Sequence, residues 1–196
     1  MRIYVGAGPD AVEWSAQGWV CNDIAGAAAR FPGISLVGPC WALPVENGSV
    51  DEIFAKGMLE HLTYHEVLQS FAEWKRVLKS GGFFTAEVPD VEEYFRQYAA
   101  MRADPSLQTG EGISLAPGEP SDFDVCCNLD RWLRRALWGW QRWPGDEHRS
   151  GWTESLFKYY LNKFSSRNEI RRMAYGFDED APDAKMRHLW ARAWKE

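Results

Sequence analysis

Three places in this chain gather groups able to bind or activate a ligand. The first lies at the N-terminus. The apolar run Ile3-Tyr4-Val5 ends in Gly6-Ala7-Gly8-Pro9, and a second apolar run, "GWVCNDI", carries Asp23 near its end. Glycines let backbone come close to a ligand and adopt φ angles closed to other residues. A carboxylate at the end of a neighbouring strand can accept two hydrogen bonds from ribose hydroxyls. The same residues also read as an ordinary strand-end turn and a helix-capping aspartate. The second place is Leu59-Glu60-His61-Leu62, a charged pair between leucines. Histidine titrates near neutrality, so His61 is a candidate general base. Its alternative role is structural, hydrogen-bonded with Glu60 in support of the adjoining loop. The third place comprises Asp90 in "EVPD" and His148 in "GDEHRSGWT". Asp90 is a candidate base or the cap of a helix beginning at Val91. His148 is a candidate base or a solvated loop histidine. His65 is expected to be exposed on a helix.

These residues need elements to hold them. Short apolar runs bounded by glycine or proline predict strands at "RIYV", "GWVCNDI", "ISLVG", "VDEIFAK" and "FFTAEVPD". A short helix is expected over 24–31, stopped by Gly33. Thr63-Tyr64-His65-Glu66 is a capping box, and Val67, Leu68, Phe71, Trp74, Val77 and Leu78 form the apolar stripe of the helix behind it. Ser80-Gly81-Gly82 should end that helix. A second amphipathic helix is predicted from Thr153 to Phe164. "EIRRMAYG" and "RHLWARAW" alternate as a final antiparallel pair of strands. Strands alternating with helices imply an α/β fold: a Rossmann-like, doubly wound, mostly parallel seven-stranded sheet with an antiparallel edge strand. Residues 102–127 hold many prolines and glycines with little apolar periodicity, which reads as a loop of lid type. With no repeat and no second core, residues 1–196 form one domain, with 102–152 as a lid or substrate-region insertion.

Composition narrows the function. The net charge of −6 disfavours duplex nucleic acid as a partner. No run approaches the roughly 18 apolar residues of a membrane helix, and the N-terminus lacks the pattern of a signal peptide, so the expected location is the cytoplasm. Cys21, Cys40, Cys126 and Cys127 form no CxxC pair, and no His/Cys cluster has zinc spacing, so reduced thiols and no metal are expected. The stretch "RWLRRALWGWQRWPG" mixes four arginines with four tryptophans. Its tryptophan faces suit a sugar or base while arginine suits phosphate or carboxylate; alternatively they form a small lid core with a wet arginine face. Trp138 and Trp140 cannot share one helix face, so some aromatic surface must find another partner, with a substrate or a second copy of the chain as the candidates beside the lid core.

The nature of the strand-end ligand follows partly by elimination. A P-loop needs Gly-Lys-Ser/Thr, which is absent. A dinucleotide site needs a third glycine opening a full helix, and here Gly8 is followed by Pro9, Asp10 and Ala11. S-adenosylmethionine, which carries no phosphate, is the remaining candidate. The series "YVGAGPD", "GWVCND", "LPVENGSVDEIFAKGMLEHL", "EWKRVLKSGGFFTAEVPD" and "HRSGWT" resembles the class I S-adenosylmethionine-dependent methyltransferases, and within them a small bacterial methyltransferase-like branch. The resemblance is strong over residues 1 to about 90 and looser over 128–196. It implies that Gly6, Ala7 and Gly8 line the methionine moiety, that Asp23 holds the ribose, that Cys40 and Trp41 border the adenine, and that Lys56 and Gly57 offer backbone to the amino-acid end. Two departures stand out. Pro39 occupies a position where an acid often binds the adenine amino group, and the link from first to second strand is too short for the usual first helix. The function implied is methyl transfer to a small-molecule acceptor, such as a glycan or nucleotide-sugar hydroxyl or amine. A catalytically inactive binding or scaffold protein on the same fold, and a nicotinamide-dependent reductase, are the competing expectations.

Overall fold

The computed structural model describes residues 1–104, 133–134, 137–139, 141, 144–173 and 188–196. Seven strands form one sheet: β1 (Arg2–Val5), β2 (Val20–Asp23), β3 (Ile34–Val37), β4 (Val50–Lys56), β5 (Leu78–Pro89), β6 (Asn168–Met173) and β7 (His188–Trp194). Their spatial order is β3-β2-β1-β4-β5-β7-β6. Strands β1 to β5 pair in parallel, and β7 runs against both β5 and β6. The expected antiparallel pair therefore sits at one edge, with the reversed strand β7 second from that edge.

Alternation in each strand explains how both faces are covered. Ile3 and Val5 point to one side of β1 and Tyr4 to the other, as the two-residue period of a strand requires. On the first side they join Ile53, Ala55, Phe84, Ala86 and Leu189 in the larger core. Helices α3 (Tyr64–Val77) and α5 (Glu154–Phe164) cover it. Phe71 and Trp74 from α3 and Phe164 from α5 all meet Phe84 of β5, with ring centroids 4.8 to 5.1 Å apart. Such aromatic pairs add roughly 0.5–1.5 kcal/mol each beyond their buried area. On the second side Tyr4, Trp19 and Phe54 form a smaller core with Trp14 of α1 (Ala11–Ala16). Trp14 stacks on Phe54 at 4.7 Å with 16° between the ring planes. One aromatic plate thus replaces area that a longer helix would supply.

The local signals that place these elements are visible. Glu66 N–H donates to Thr63 Oγ1 at 3.3 Å, and Thr63 N–H donates to the Glu66 carboxylate at 2.7 Å, closing the capping box of α3. Thr153 caps α5 by accepting from Leu156 N–H. Helix α3 stops at Val77, earlier than Ser80-Gly81-Gly82, because Leu78 already pairs with Val50 as the start of β5. The glycines instead form the irregular part of that strand, after which regular pairing resumes at Phe83. The expected helix over 24–31 shrinks to α2 (Ala25–Ala28). The first helix, α1, has only six residues, in line with the short first crossover. No helix among the described residues is long and apolar enough to cross a membrane.

The sheet order reverses between β1 and β4. From β1 the chain moves outward to β2 and β3, then returns across β1 to β4. The carboxyl ends of β1, β2 and β4 therefore open into one crevice, the usual ligand position in a doubly wound sheet.

Candidate active site

The turn after β1 is shaped by two glycines with positive φ. Gly6 has φ 67° and Gly8 has φ 47°. A Cβ on Gly6 would lie 2.2 Å from Met58 Cγ, so this position must stay bare for β1 to pass the β4 loop. A Cβ on Gly8 would meet nothing within 4 Å; it would project into open space. The N–H groups of Gly6 and Ala7 both donate to the Asn22 carbonyl, at 2.9 and 3.2 Å. They tie the turn to the end of β2. The Asn22 side chain in turn donates to the carbonyls of Leu36 and Gly38, at 3.0 and 2.9 Å, which ties β2 to the loop after β3.

Asp23 ends β2 and faces the glycine turn. Gly8 N–H donates to Asp23 Oδ2 at 2.9 Å, and Ile24 N–H donates to Oδ1 at 2.7 Å. Burial pushes the Asp23 carboxyl above the ordinary range; the two N–H donors and the nearby His61 ring pull the other way.

The crevice is a cavity of about 340 Å³, within the usual size of small-molecule sites. Gly6, Ala7, Gly8, Asp23, Cys40, Trp41, Lys56, Gly57 and His61 all line it. Cys40 packs inward, with Sγ 3.3 Å from Ser70 Oγ, and burial pushes its thiol up to about 11. The Trp74 indole N–H donates to the Cys40 carbonyl at 3.1 Å, so α3 holds this loop in place. Lys56 closes β4 with its ammonium 3.6 Å from Asp10, and Gly57 N–H donates to the Glu87 carbonyl at 3.1 Å.

A further segment reaches the cavity from far along the chain. Pro144, Gly145, Asp146, Glu147 and Arg149 also line it. Arg149 and Ser150 N–H groups both donate to the Glu60 carbonyl, at 2.7 and 3.0 Å, and Ser150 Oγ donates to the Leu59 carbonyl. Arg149 reaches Glu66 at 3.0 Å. His61 Nδ1 lies 3.1 Å from the Glu147 carbonyl, and the rings of His61 and His148 meet edge to face at 5.1 Å. His61 and His148 are thus brought together, with Glu60 beside them.

Asp90 is placed elsewhere. It has no exposed surface and does not line the cavity. One oxygen accepts from Glu93 N–H as the cap of α4 (Val91–Ala103); the other accepts from Arg172 Nε at 2.7 Å. A carboxylate with both oxygens so engaged is a structural cap, and the capping alternative describes its position. His65 is exposed on α3. Within the tryptophan-rich stretch, Trp138 is exposed; Trp152, a little beyond it, is fully buried. Trp132, Trp140 and Trp143 lie outside the described residues, as do Cys126, Cys127 and most of the expected 102–152 insertion. The expected insertion begins inside the last turn of α4, which runs to Ala103. Sequence reasoning missed the 144–147 segment, Asn22 and Met58; none sits in a recognisable spacing, and only the Gly145 turn hints at a loop.

Residues 20–86, from β2 into β5, match a family described as a methyltransferase domain. No curated protein matches the chain by sequence. Among solved structures, an S-adenosylmethionine-dependent methyltransferase from Thermotoga maritima is similar at TM-score 0.59 and 11% identity, covering 100% of this chain and 81% of that one. A second, from Archaeoglobus fulgidus, is similar at TM-score 0.59 and 9% identity, covering 99% and 85%. A third, from Methanosarcina mazei, is similar at TM-score 0.55 and 15% identity, covering 100% and 92%. At these identities the likeness is one of fold.

Proposed function

We propose that this chain is a class I S-adenosylmethionine-dependent methyltransferase, a reading supported by the domain match over residues 20–86 and by the fold, and that it methylates a small-molecule acceptor, of the class of glycan or nucleotide-sugar hydroxyls or amines. The observation that carries the cofactor site is the Gly8 N–H to Asp23 hydrogen bond at the rim of the sheet. Each Asp23 oxygen accepts one backbone N–H. An ionised carboxylate has about four acceptor sites, so capacity remains for the two hydroxyls of a ribose. The open space over Gly8 admits a ligand where any side chain would intrude. The residues present therefore fit the cofactor.

In this reading Gly6, Ala7 and Gly8 lie along the methionine moiety, and Asp23 holds the ribose. Trp41 and the backbone around Cys40 border the adenine, which explains how Pro39 can stand where an acid is common. Lys56 and Gly57 close the amino-acid end. The cofactor supplies an electrophilic methyl group on its sulfonium. The protein's part is to align the acceptor and exclude water. The 144–149 segment, clamped onto Glu60, walls the acceptor side. His61 lines the cavity, and the His148 ring stands behind it, edge to face at 5.1 Å. An oxygen acceptor needs loss of its proton, whereas a neutral amine needs positioning alone.

Calorimetric titration with S-adenosylhomocysteine tests the site, and incubation of S-adenosylmethionine with a panel of sugars, nucleotide sugars and amines tests the acceptor class. Saturable binding with product formation on one of these classes is expected. Binding without turnover on any panel member counts against the acceptor class and favours a silent binding protein; no binding at millimolar ligand overturns the cofactor site.

A further inference from the structure

Glu60, His61 and His148 each offer one ligand atom within 4.8 Å of the other two. We propose that they form a binding site for a divalent transition metal, of the zinc type, at the acceptor end of the cavity. Two imidazoles and one carboxylate are a recurrent donor set for zinc and for iron(II), leaving coordination positions open.

Two independent features point to a ligand here. Glu60 is only 4% exposed, and its Oε2 has no hydrogen-bond partner among the described residues. An ionised carboxylate is costly to bury without a partner, and a cation is the compensation that buried carboxylates take. Its backbone carbonyl accepts from Arg149 and Ser150, which anchors the Glu60 backbone against the segment that carries His148. The second feature is the tautomer of His61. Its Nδ1 lies 3.1 Å from the Glu147 carbonyl. A carbonyl only accepts, so Nδ1 is the donor of this contact, which leaves Nε2 as the nitrogen to offer a metal. A histidine whose second nitrogen donates to a backbone carbonyl is the common arrangement of metal-ligating imidazoles.

His148 comes from the segment docked on Glu60, and its ring stands at 79° to that of His61. Metal–nitrogen bonds of 2.0–2.1 Å place tetrahedral donors about 3.4 Å apart, so side-chain adjustment on the order of an ångström closes the set. Nitrogen donors favour zinc over magnesium, which prefers oxygen. His61 lines the cavity, so an oxygen-bearing acceptor or a water is the class of ligand for the open positions.

Equilibrium dialysis with zinc chloride, followed by elemental analysis, tests the site in the full chain. The wild type, E60Q, H148A and a control, H65A, are compared. Wild type and H65A are expected to retain one equivalent of zinc that excess magnesium does not displace, with affinity lowered at least tenfold in E60Q and H148A. Zinc should also raise the melting temperature of the wild type and leave that of E60Q unchanged. Glutamine keeps the shape of Glu60 and removes its charge, and a native circular-dichroism spectrum verifies that each variant is folded. Absence of stoichiometric zinc, or retention unaffected by E60Q and H148A, overturns the proposal. S-adenosylhomocysteine titration of the same samples reports on the cofactor site separately, so either site can fail alone.

Discussion

The Asp23 carboxylate accepts the Gly8 N–H at 2.9 Å, joining the end of β2 to the turn after β1 across fifteen residues of chain. One short bond sets the distance between bare backbone and an acidic group, the two features an adenosyl ligand uses.

Replacing Asp23 with alanine removes that acceptor. S-adenosylhomocysteine affinity should fall by about 1–3 kcal/mol, the size of hydrogen bonds to a charged acceptor. Titration calorimetry reads this directly, and equal affinity would contradict the ribose assignment.

The same carboxylate should cost stability as pH rises. Burial raises its pKa in the folded state, so the folded protein holds the proton more tightly than the unfolded chain. The sign follows from linkage: this contribution is full below the unfolded pKa and is lost as pH climbs through the raised folded value. D23N, which cannot ionise, should therefore gain in melting temperature relative to wild type as pH moves from below the carboxylate range to neutrality. A difference that stays constant across that range argues against a strained carboxylate.

The two glycines should respond differently to alanine. At Gly6 the new Cβ meets Met58 at 2.2 Å in addition to the positive φ, so G6A should lose several kcal/mol or fail to fold. At Gly8 there is space, and the cost is the left-handed backbone alone, about 1–2 kcal/mol. G8A should fold and lose cofactor affinity. Thermal melts paired with ligand titration separate the two.

Asp90 should behave as a structural residue. D90A loses a helix cap and the partner of Arg172, and a destabilisation of about 2–4 kcal/mol is expected. D90N, which can still cap, should keep the Michaelis constant for cofactor and most turnover. A turnover collapse in a folded D90N would return Asp90 to the chemistry. His148→Ala, by contrast, should lower turnover while cofactor affinity is kept.

Cys40 should resist alkylation. With its thiol pushed up to about 11, the thiolate is about one part in ten thousand at pH 7. Iodoacetamide labelling followed by peptide mass mapping should find Cys40 modified only after denaturation.

Much of the scaffold was legible because the signals are local. A short apolar run after the Pro44–Gly48 loop marked β4 as Val50–Lys56, and Thr63 with Glu66 marked the start of α3, since both depend on near neighbours in the chain. The ends of elements were less legible. Leu78 looks helical by its spacing from Trp74, yet it joins Val50 in the sheet, and a strand partner nearly thirty residues away leaves no trace in periodicity. Asp90 shows the same limit: its type and position suited a base, and Arg172 of β6 occupies one of its oxygens.

The amino-acid order alone determined the doubly wound sheet, the glycine turn and the acid at the end of the second strand, because each arises from backbone preference and burial along a few consecutive residues. Only the tertiary structure decided which distant residues gather beside them. It carried His148 across the molecule to His61 and left Glu60 buried beside them, since residues 87 positions apart meet only when separate segments dock, and docking depends on shape that no spacing records.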